Sequence, residues 1–196
     1  MARVSKQQMA LNREAIVQTS SQLFRARGLN GVSVNDLMAA VGLTHGGFYG
    51  HFASKDELAA IASDKALEDS CALWQEISNQ PDKHGLRALV ERYLSPAHRD
   101  NMKDGCAITA LASDVAREAE DKPVHDVYLN GVSTMLDKLA SLSDIEDAEQ
   151  RRQHVLAQFA LLSGALTLAR ATAGDTLSDE FLDAAKKALL GGESQG

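Results

Sequence analysis

The run from Ser33 to Leu58, SVNDLMAAVGLTHGGFYGHFASKDEL, constrains the fold more than any other part of the chain. Ser33 is placed to cap a helix carrying Val34, Leu37 and Met38 at helical spacing, Gly42 breaks that helix, and Thr44 caps the next. Two helices this short and this close predict a helix-turn-helix. The second, from Thr44 to His51, carries little apolar surface apart from Phe48 and the adjoining Phe52, so most of its side chains are free to face a DNA groove. Ser54-Lys55-Asp56-Glu57 then reads as a capping box that starts a third helix.

Around this unit the pattern stays helical. Leu11 to Ala26 forms a first helix that Gly28 stops, preceded by a polar, basic arm over residues 1–8. From Ser54 a long helix runs to about Asn79-Gln80-Pro81-Asp82. Further helices are expected over Gly85 to Leu94, Cys106 to Glu120 and Val124 to Leu142, then from a Ser143-x-x-Glu146 capping box to Ala173, and last from Ser178 to Leu190. No strand-length alternation and no repeat period occurs. The expected fold is all-α with about nine helices: a three-helix DNA-binding domain over residues 1–53 and a larger helical domain over residues 54–196.

The pattern F-Y-x-H-F-x-S-K-x-E-L, Phe48 to Leu58, resembles the N-terminal signature of the TetR family (TetR/AcrR type) of bacterial transcriptional regulators. The motif similarity covers roughly residues 10 to 58. The resemblance implies that Tyr49, His51 and Lys55 contact the DNA backbone, and that the body binds an effector and forms a two-fold dimer through a four-helix bundle. Ser33, Thr44, His45, Gly46, Gly47, Tyr49, His51 and Lys55 make up the expected DNA-binding set. Thr44 combines a cap with a hydroxyl for phosphate, Lys55 acts as a point charge, and His45 is the candidate for reading a base edge. Tyr49 packed beneath the helix and His51 as a neutral cap stay open as alternatives. Gly46 and Gly47 either permit close backbone approach to DNA or are merely tolerated in a short exposed helix.

Charge agrees with a head facing phosphate. Through Lys55 the chain has six basic residues (Arg3, Lys6, Arg13, Arg25, Arg27, Lys55) against two acidic ones (Glu14, Asp36), a balance of +4, so the formal total of −7 leaves −11 for the remainder. Such an asymmetry orients the head toward DNA, although a solvated surface gives the same imbalance. The chain has 196 residues, 44% of them hydrophobic, enough for a sizeable core. No apolar run near bilayer length stands out and Met1 to Lys6 is not followed by a signal-peptide core, so a cytoplasmic protein without a membrane partner is expected. Two cysteines, Cys71 and Cys106, form neither a disulfide framework nor a metal motif, and the i, i+6 spacing of His45 and His51 does not favour a metal. No cofactor and no catalytic constellation is expected, and Asp114 with Glu118 reads as an exposed helix face.

In the body, Cys71, Trp74, Tyr93, Met102, Cys106, Tyr128, Met135 and Phe159 are candidate lining for an effector pocket, a set that hints at a small apolar or aromatic ligand. Cys106 follows Gly105 at a helix start with Lys103 close by, which favours thiolate; the alternative is a thiol that only fills space. Leu156, Phe159, Ser163, Leu166, Arg170, Phe181 and Leu182 form the candidate dimer interface in the eighth and ninth helices, with an intrachain core as the other reading. The expected protein is a homodimeric repressor that binds double-stranded palindromic operator DNA and is released by an unidentified small-molecule effector. The alternative is a thiol-based redox or electrophile sensor acting through Cys106.

Overall fold

A computed structural model describes residues 5–78 and 85–191, and every regular element among them is helical. Nine α-helices and one 3-10 helix occur among the described residues, in the order α1 (Lys6–Arg27), α2 (Val34–Ala40), the 3-10 segment η1 (His45–Gly50), α3 (Lys55–Ser78), α4 (Gly85–Tyr93), α5 (Pro96–Asp100), α6 (Ala107–Val115), α7 (Val124–Ala140), α8 (Ala148–Ala171) and α9 (Thr176–Leu190).

Local chemistry explains most boundaries, including several that differ from the sequence expectation. Helix α1 starts five residues earlier than Leu11 because the Ser5 hydroxyl accepts from the Gln8 amide, so residues 6–8 are helix rather than arm. It stops at Gly28, whose φ of +78° suits a residue without Cβ. At α3 the Glu57 amide donates to Ser54 Oγ, while the Glu57 carboxylate reaches back to the amide of Ala53 rather than Ser54. The expected end of α3 at Asn79-Gln80-Pro81-Asp82 lies outside the described residues.

Helix α5 is an element the sequence reading missed, although Ser95 caps it and Pro96 occupies its first turn. Helix α6 ends at Val115, well before Glu120. The Ser143-x-x-Glu146 box does not form: Ser143 Oγ accepts from the Ile145 amide, and Asp147 caps α8 by accepting from Gln150. Asp175 likewise caps α9, which begins at Thr176 rather than Ser178.

Helix α1 lies along α3, α3 also packs on α7, and α8 pairs with α9. Both helices of the first pair carry small buried side chains, Ser20 and Ser21 in α1 and Ala59, Ala62, Ser63 and Ala66 in α3. Helix α6 sits among α1, α3, α7 and α8, and thereby touches both the helix-turn-helix end and the body. The buried apolar residues form one continuous cluster from Ile16 through Leu58, Leu111 and Met135 to Leu189. Head and body are thus joined through core as well as along α3.

Helix α8 is long and apolar enough to cross a bilayer by length and composition, which the sequence reading overlooked. Its composition has a structural explanation. One face, with Val155, Leu162, Leu166 and Ala169, is buried against the protein, while Leu156, Leu161 and Leu168 on other faces are exposed.

Candidate DNA interface and effector cavity

The recognition segment is built around two buried rings. Phe48 and Phe52 are almost fully buried and lie 5.6 Å apart, anchoring a segment whose other side chains point outward. Burial of each ring is worth about 2–3 kcal/mol, enough to hold a six-residue helix that contains three glycines. The segment is a 3-10 helix rather than the expected α-helix. Thr44 occupies its N-cap position with extended backbone, but its hydroxyl makes no capping bond, contrary to the sequence reading, and remains available on the surface. Ser33, in contrast, is committed to a capping box: its Oγ accepts from the Asp36 amide and donates to the Asp36 carboxylate at 2.6 Å. That pairing holds the Asp36 carboxyl below its usual range.

His45, Gly46, Gly47 and Tyr49 are all exposed, Tyr49 at 64%. Tyr49 stands edge-on to Phe48 and His45, so it does not pack beneath the segment. His51 is half-buried beside Phe52, and its carbonyl accepts from Arg13, whose guanidinium lies 4.3 Å over the Phe52 ring. Lys55 is half-buried at the start of α3, with Glu118 within electrostatic reach.

Two of the basic residues of the head have structural roles. Arg13 is used to hold the recognition segment, and Arg25 is buried against the body, 4% exposed. Arg25 therefore presents no free charge to phosphate, while Arg13 is only half-buried.

Asp114 and Glu118 are not a plain solvated face. Asp114 accepts from the Leu29 amide and crowds Gly28, where a Cβ would lie 2.7 Å from Asp114 Oδ2. Glu118 accepts from Asn30 at 2.6 Å and pairs with Lys122 at 2.7 Å; Lys122 also pairs with Asp56 of α3 at 3.1 Å. These contacts hold the Glu118 carboxyl below its ordinary range and raise Lys122. At the other end of α6, Gln22 donates to Asp104 and Arg25 to the Gly105 carbonyl. Helix α1 and its following loop are tied to α6 and its flanks at both ends.

A cavity of about 170 Å³ opens between α1, α3, α4, α5 and the start of α6. Of the eight candidate lining residues, Trp74, Tyr93 and Cys106 are in its wall. Phe159 meets Trp74 edge-on with centroids 6.0 Å apart, Met135 is wholly in the core, and Met102 is exposed. Cys71 is half-buried outside the wall, and the Tyr128 hydroxyl donates to the Ile108 carbonyl. Residues the sequence reading missed complete the wall: Arg25, Asp69, Arg92, His98 and Asp104 among them. Hydrophobic spacing cannot find them, because they come from the polar edges of five separate segments.

Buried Cys106 takes the N-cap position of α6 with no side-chain capping bond. The cations that sense its sulfur are Arg25 and Arg170, with Lys103 exposed on the surface. Its amide donates to His98 Nε2 at 3.0 Å, and His98 Nδ1 lies 2.6 Å from the Tyr93 carbonyl. Burial, followed by the nearby Arg170 and Arg92, pushes the His98 imidazole down to about 4.

The candidate dimer residues divide between two faces. Phe159, Leu166 and Leu182 are buried within the chain, Ser163 bonds Thr109, and Arg170 donates to the carbonyls of His98 and Arg99, so these five serve intrachain packing. Leu156 is exposed and Phe181 partly so. Helical periodicity marked an apolar stripe on α8 but could not say which of its two apolar faces turns inward.

An exposed recognition segment after a short capped helix, on a helical body with its own cavity, is the build of a helix-turn-helix transcriptional regulator. Residues 16–61 match the family described as bacterial regulatory proteins, tetR family. The chain is 25% identical over 176 residues to an uncharacterized HTH-type transcriptional regulator in the lacX 3' region of Lactococcus lactis subsp. lactis, covering 82% of this chain and 84% of that protein. Its fold is similar to a TetR-family transcriptional regulator from Cytophaga hutchinsonii (TM-score 0.78, 18% identity, 97% of this chain and 98% of that one). It is also similar to the reduced form of Escherichia coli NemR (TM-score 0.75, 18% identity, 92% and 95% covered) and to a TetR regulator from Chloroflexus aurantiacus (TM-score 0.75, 24% identity, 96% and 97% covered). Residues 16–61 thus carry the TetR-family DNA-binding pattern, and the chain as a whole has a fold similar to that of solved TetR regulators.

Proposed function

We propose that the protein is a homodimeric transcriptional repressor of the cytoplasm, bound to a palindromic operator and released by a small molecule that enters the cavity. The observation that carries this reading is the position of α6. Gly105 and Cys106 at its start belong to the cavity wall, while Asp114 within it and Glu118 just beyond it bond the loop that follows α1 of the head. A ligand that displaces one end of α6 acts on the head through the other, and favours a state whose two heads no longer match successive major grooves.

At the DNA, the proposed contacts are Thr44, Tyr49, His51 and Lys55 to phosphates and His45 to a base edge, with Gly46 and Gly47 allowing close approach. For Thr44, His45, Gly46, Gly47 and Tyr49 the support is exposure around the Phe48 and Phe52 anchors; His51 and Lys55 are half-buried beside them. Ser33 acts one step removed, by capping α2. For the dimer, we assign the outward stripe of α8, Leu156, Ala157, Ala160, Leu161, Gly164 and Leu168, with Leu177, Phe181, Ala184 and Ala188 of α9. A Cβ on Gly164 would meet nothing within 4 Å, which leaves room for another helix to approach closely.

Retardation of DNA from upstream of the protein's own gene, with and without candidate ligands, tests the reading. Binding to a two-fold site that a ligand abolishes is expected; a monomer that protects one isolated half-site defeats it. A second reading, a thiol sensor, is favoured by the placement of Cys106 in the cavity wall near two guanidinium groups. In that case alkylation at Cys106 releases DNA and Cys106→Ser removes the response. A modified protein that still binds operator makes the thiol structural.

A further inference from the structure

Arg25 is the most unusual side chain in the cavity. It is 4% exposed, yet among the described residues no carboxylate forms an ion pair with it. Its guanidinium donates only to neutral oxygens at long range: the Ser21 carbonyl at 3.2 Å, the Gly105 carbonyl at 3.3 Å and Ser21 Oγ at 3.5 Å. Five N–H donors are available to a guanidinium, so two remain unused. Burial lowers its pKa, outweighing Asp104 and Asp69, which act on it from a distance without an ion-pair contact.

The acidic groups of the wall do not supply a counter-charge by contact. Asp69 pairs with Lys65, and Asp104 accepts from Gln22. Arg92, exposed at the mouth, has no ion pair among the described residues either. The same wall also holds the apolar Leu73, Trp74, Ile77 and Leu89. The volume, about 170 Å³, is close to that of a cavity of about 150 Å³ that admits benzene.

We propose that the cavity receives a small carboxylate of about the size of benzoate, its anionic group paired with Arg25 and its apolar part against Trp74 and Leu89. This rests on the cavity being the effector site, and deepens it in one respect. Arg25 belongs to α1 of the DNA-binding head, so an anion that engages its unused donors pulls on the same guanidinium whose bond to the Gly105 carbonyl ties the head to the start of α6. The ligand touches the head itself.

Trp74 is the single tryptophan and lines the cavity, so its fluorescence reports occupancy. Benzoate, benzamide and benzylamine form a charge series of nearly constant shape for titration of the full chain. Benzoate is expected to bind at least about tenfold more tightly than benzamide, with benzylamine weakest. In Arg25→Gln the preference for benzoate over benzamide should fall to within about twofold, while Arg92→Gln retains most of it. Equal binding of benzoate and benzamide, preference for benzylamine, no response to any of the three, or loss of the preference in Arg92→Gln alone overturns the proposal. The charge series needs only the unmodified protein, so it decides even if Arg25→Gln does not fold. Operator retardation in parallel separates the two readings: release by benzamide alone keeps the effector reading without the anion, and benzoate binding without release keeps the anion site without the effector reading.

Discussion

His98 has its protonation state written into its surroundings. The Tyr93 carbonyl can only accept, so Nδ1 carries the proton, and the Cys106 amide can only donate, so Nε2 must be bare. A second proton would set N–H against N–H. Because the folded value is depressed to about 4, the unfolded chain takes up the proton first as pH falls through about 6.5, and stability drops progressively until about pH 4. The loss from this group is on the order of 3 kcal/mol. Urea unfolding of wild type and His98→Gln over this range measures it: the wild-type curve should fall more steeply, and parallel curves would remove His98 as the cause. Gly105 beside it has equally little freedom, since a Cβ would lie 2.6 Å from Arg170 Nη2 and 3.0 Å from the Asn101 carbonyl. Gly105→Ala should therefore destabilise by about 1–3 kcal/mol, seen as a lowered urea midpoint; an unchanged midpoint would mean that Arg170 swings aside without cost.

At the scale of single elements, the recognition segment separates folding from binding. A Cβ on Gly46 would meet nothing within 4 Å, so Gly46→Ala fits the free protein and should stabilise it by up to about 1 kcal/mol. Operator affinity should nonetheless fall, because the exposed glycine matters where backbone meets DNA; a variant that melts higher and binds as before would make this glycine incidental. Lys55 offers a different signature. Lys55→Ala should weaken all DNA sequences alike and lower the slope of log affinity against log salt by about 1, and an unchanged slope would take it out of the interface. In α8 the same residue types serve two purposes on two faces. That is why its composition passes for a membrane span while half of its apolar side chains face protein.

Across the whole molecule, the outward stripe of α8 and the bonds around α6 are the two places where separate bodies must communicate. Leu168 is 46% exposed and Leu161 37%, so a charge there costs the isolated chain little. Leu168→Glu should leave the monomer folded by circular dichroism but dissociate the dimer in sedimentation, and abolish two-fold operator binding with it. A variant that stays dimeric would move the interface elsewhere. The proposed dimerisation and effector response would thus sit on different sides of α8, whose inward residues Ser163 and Arg170 reach α6 and the α5 region.

The helix-turn-helix could be read from Ser33 to Leu58 because its signals are local: a cap, a glycine break, a capping box and aromatic anchors act within a few residues of one another. Most body helices were legible for the same reason, with errors where one polar residue competed with another for the cap, as Asp147 did with Ser143. The resemblance to the TetR family rests on that same segment. The cavity and the coupling to the head were not legible. Arg25 and Gly105 are 80 residues apart, and Asn30 and Glu118 are 88 apart; nothing in either neighbourhood announces the other. Whether a buried arginine supports a groove, a phosphate or a ligand depends on which oxygens surround it after folding, and for Arg25 those oxygens are too few and uncharged. Periodicity likewise placed an apolar stripe on α8, but the choice of inward face came from packing against α7 and α9, because burial is settled by neighbours and not by the helix that carries it.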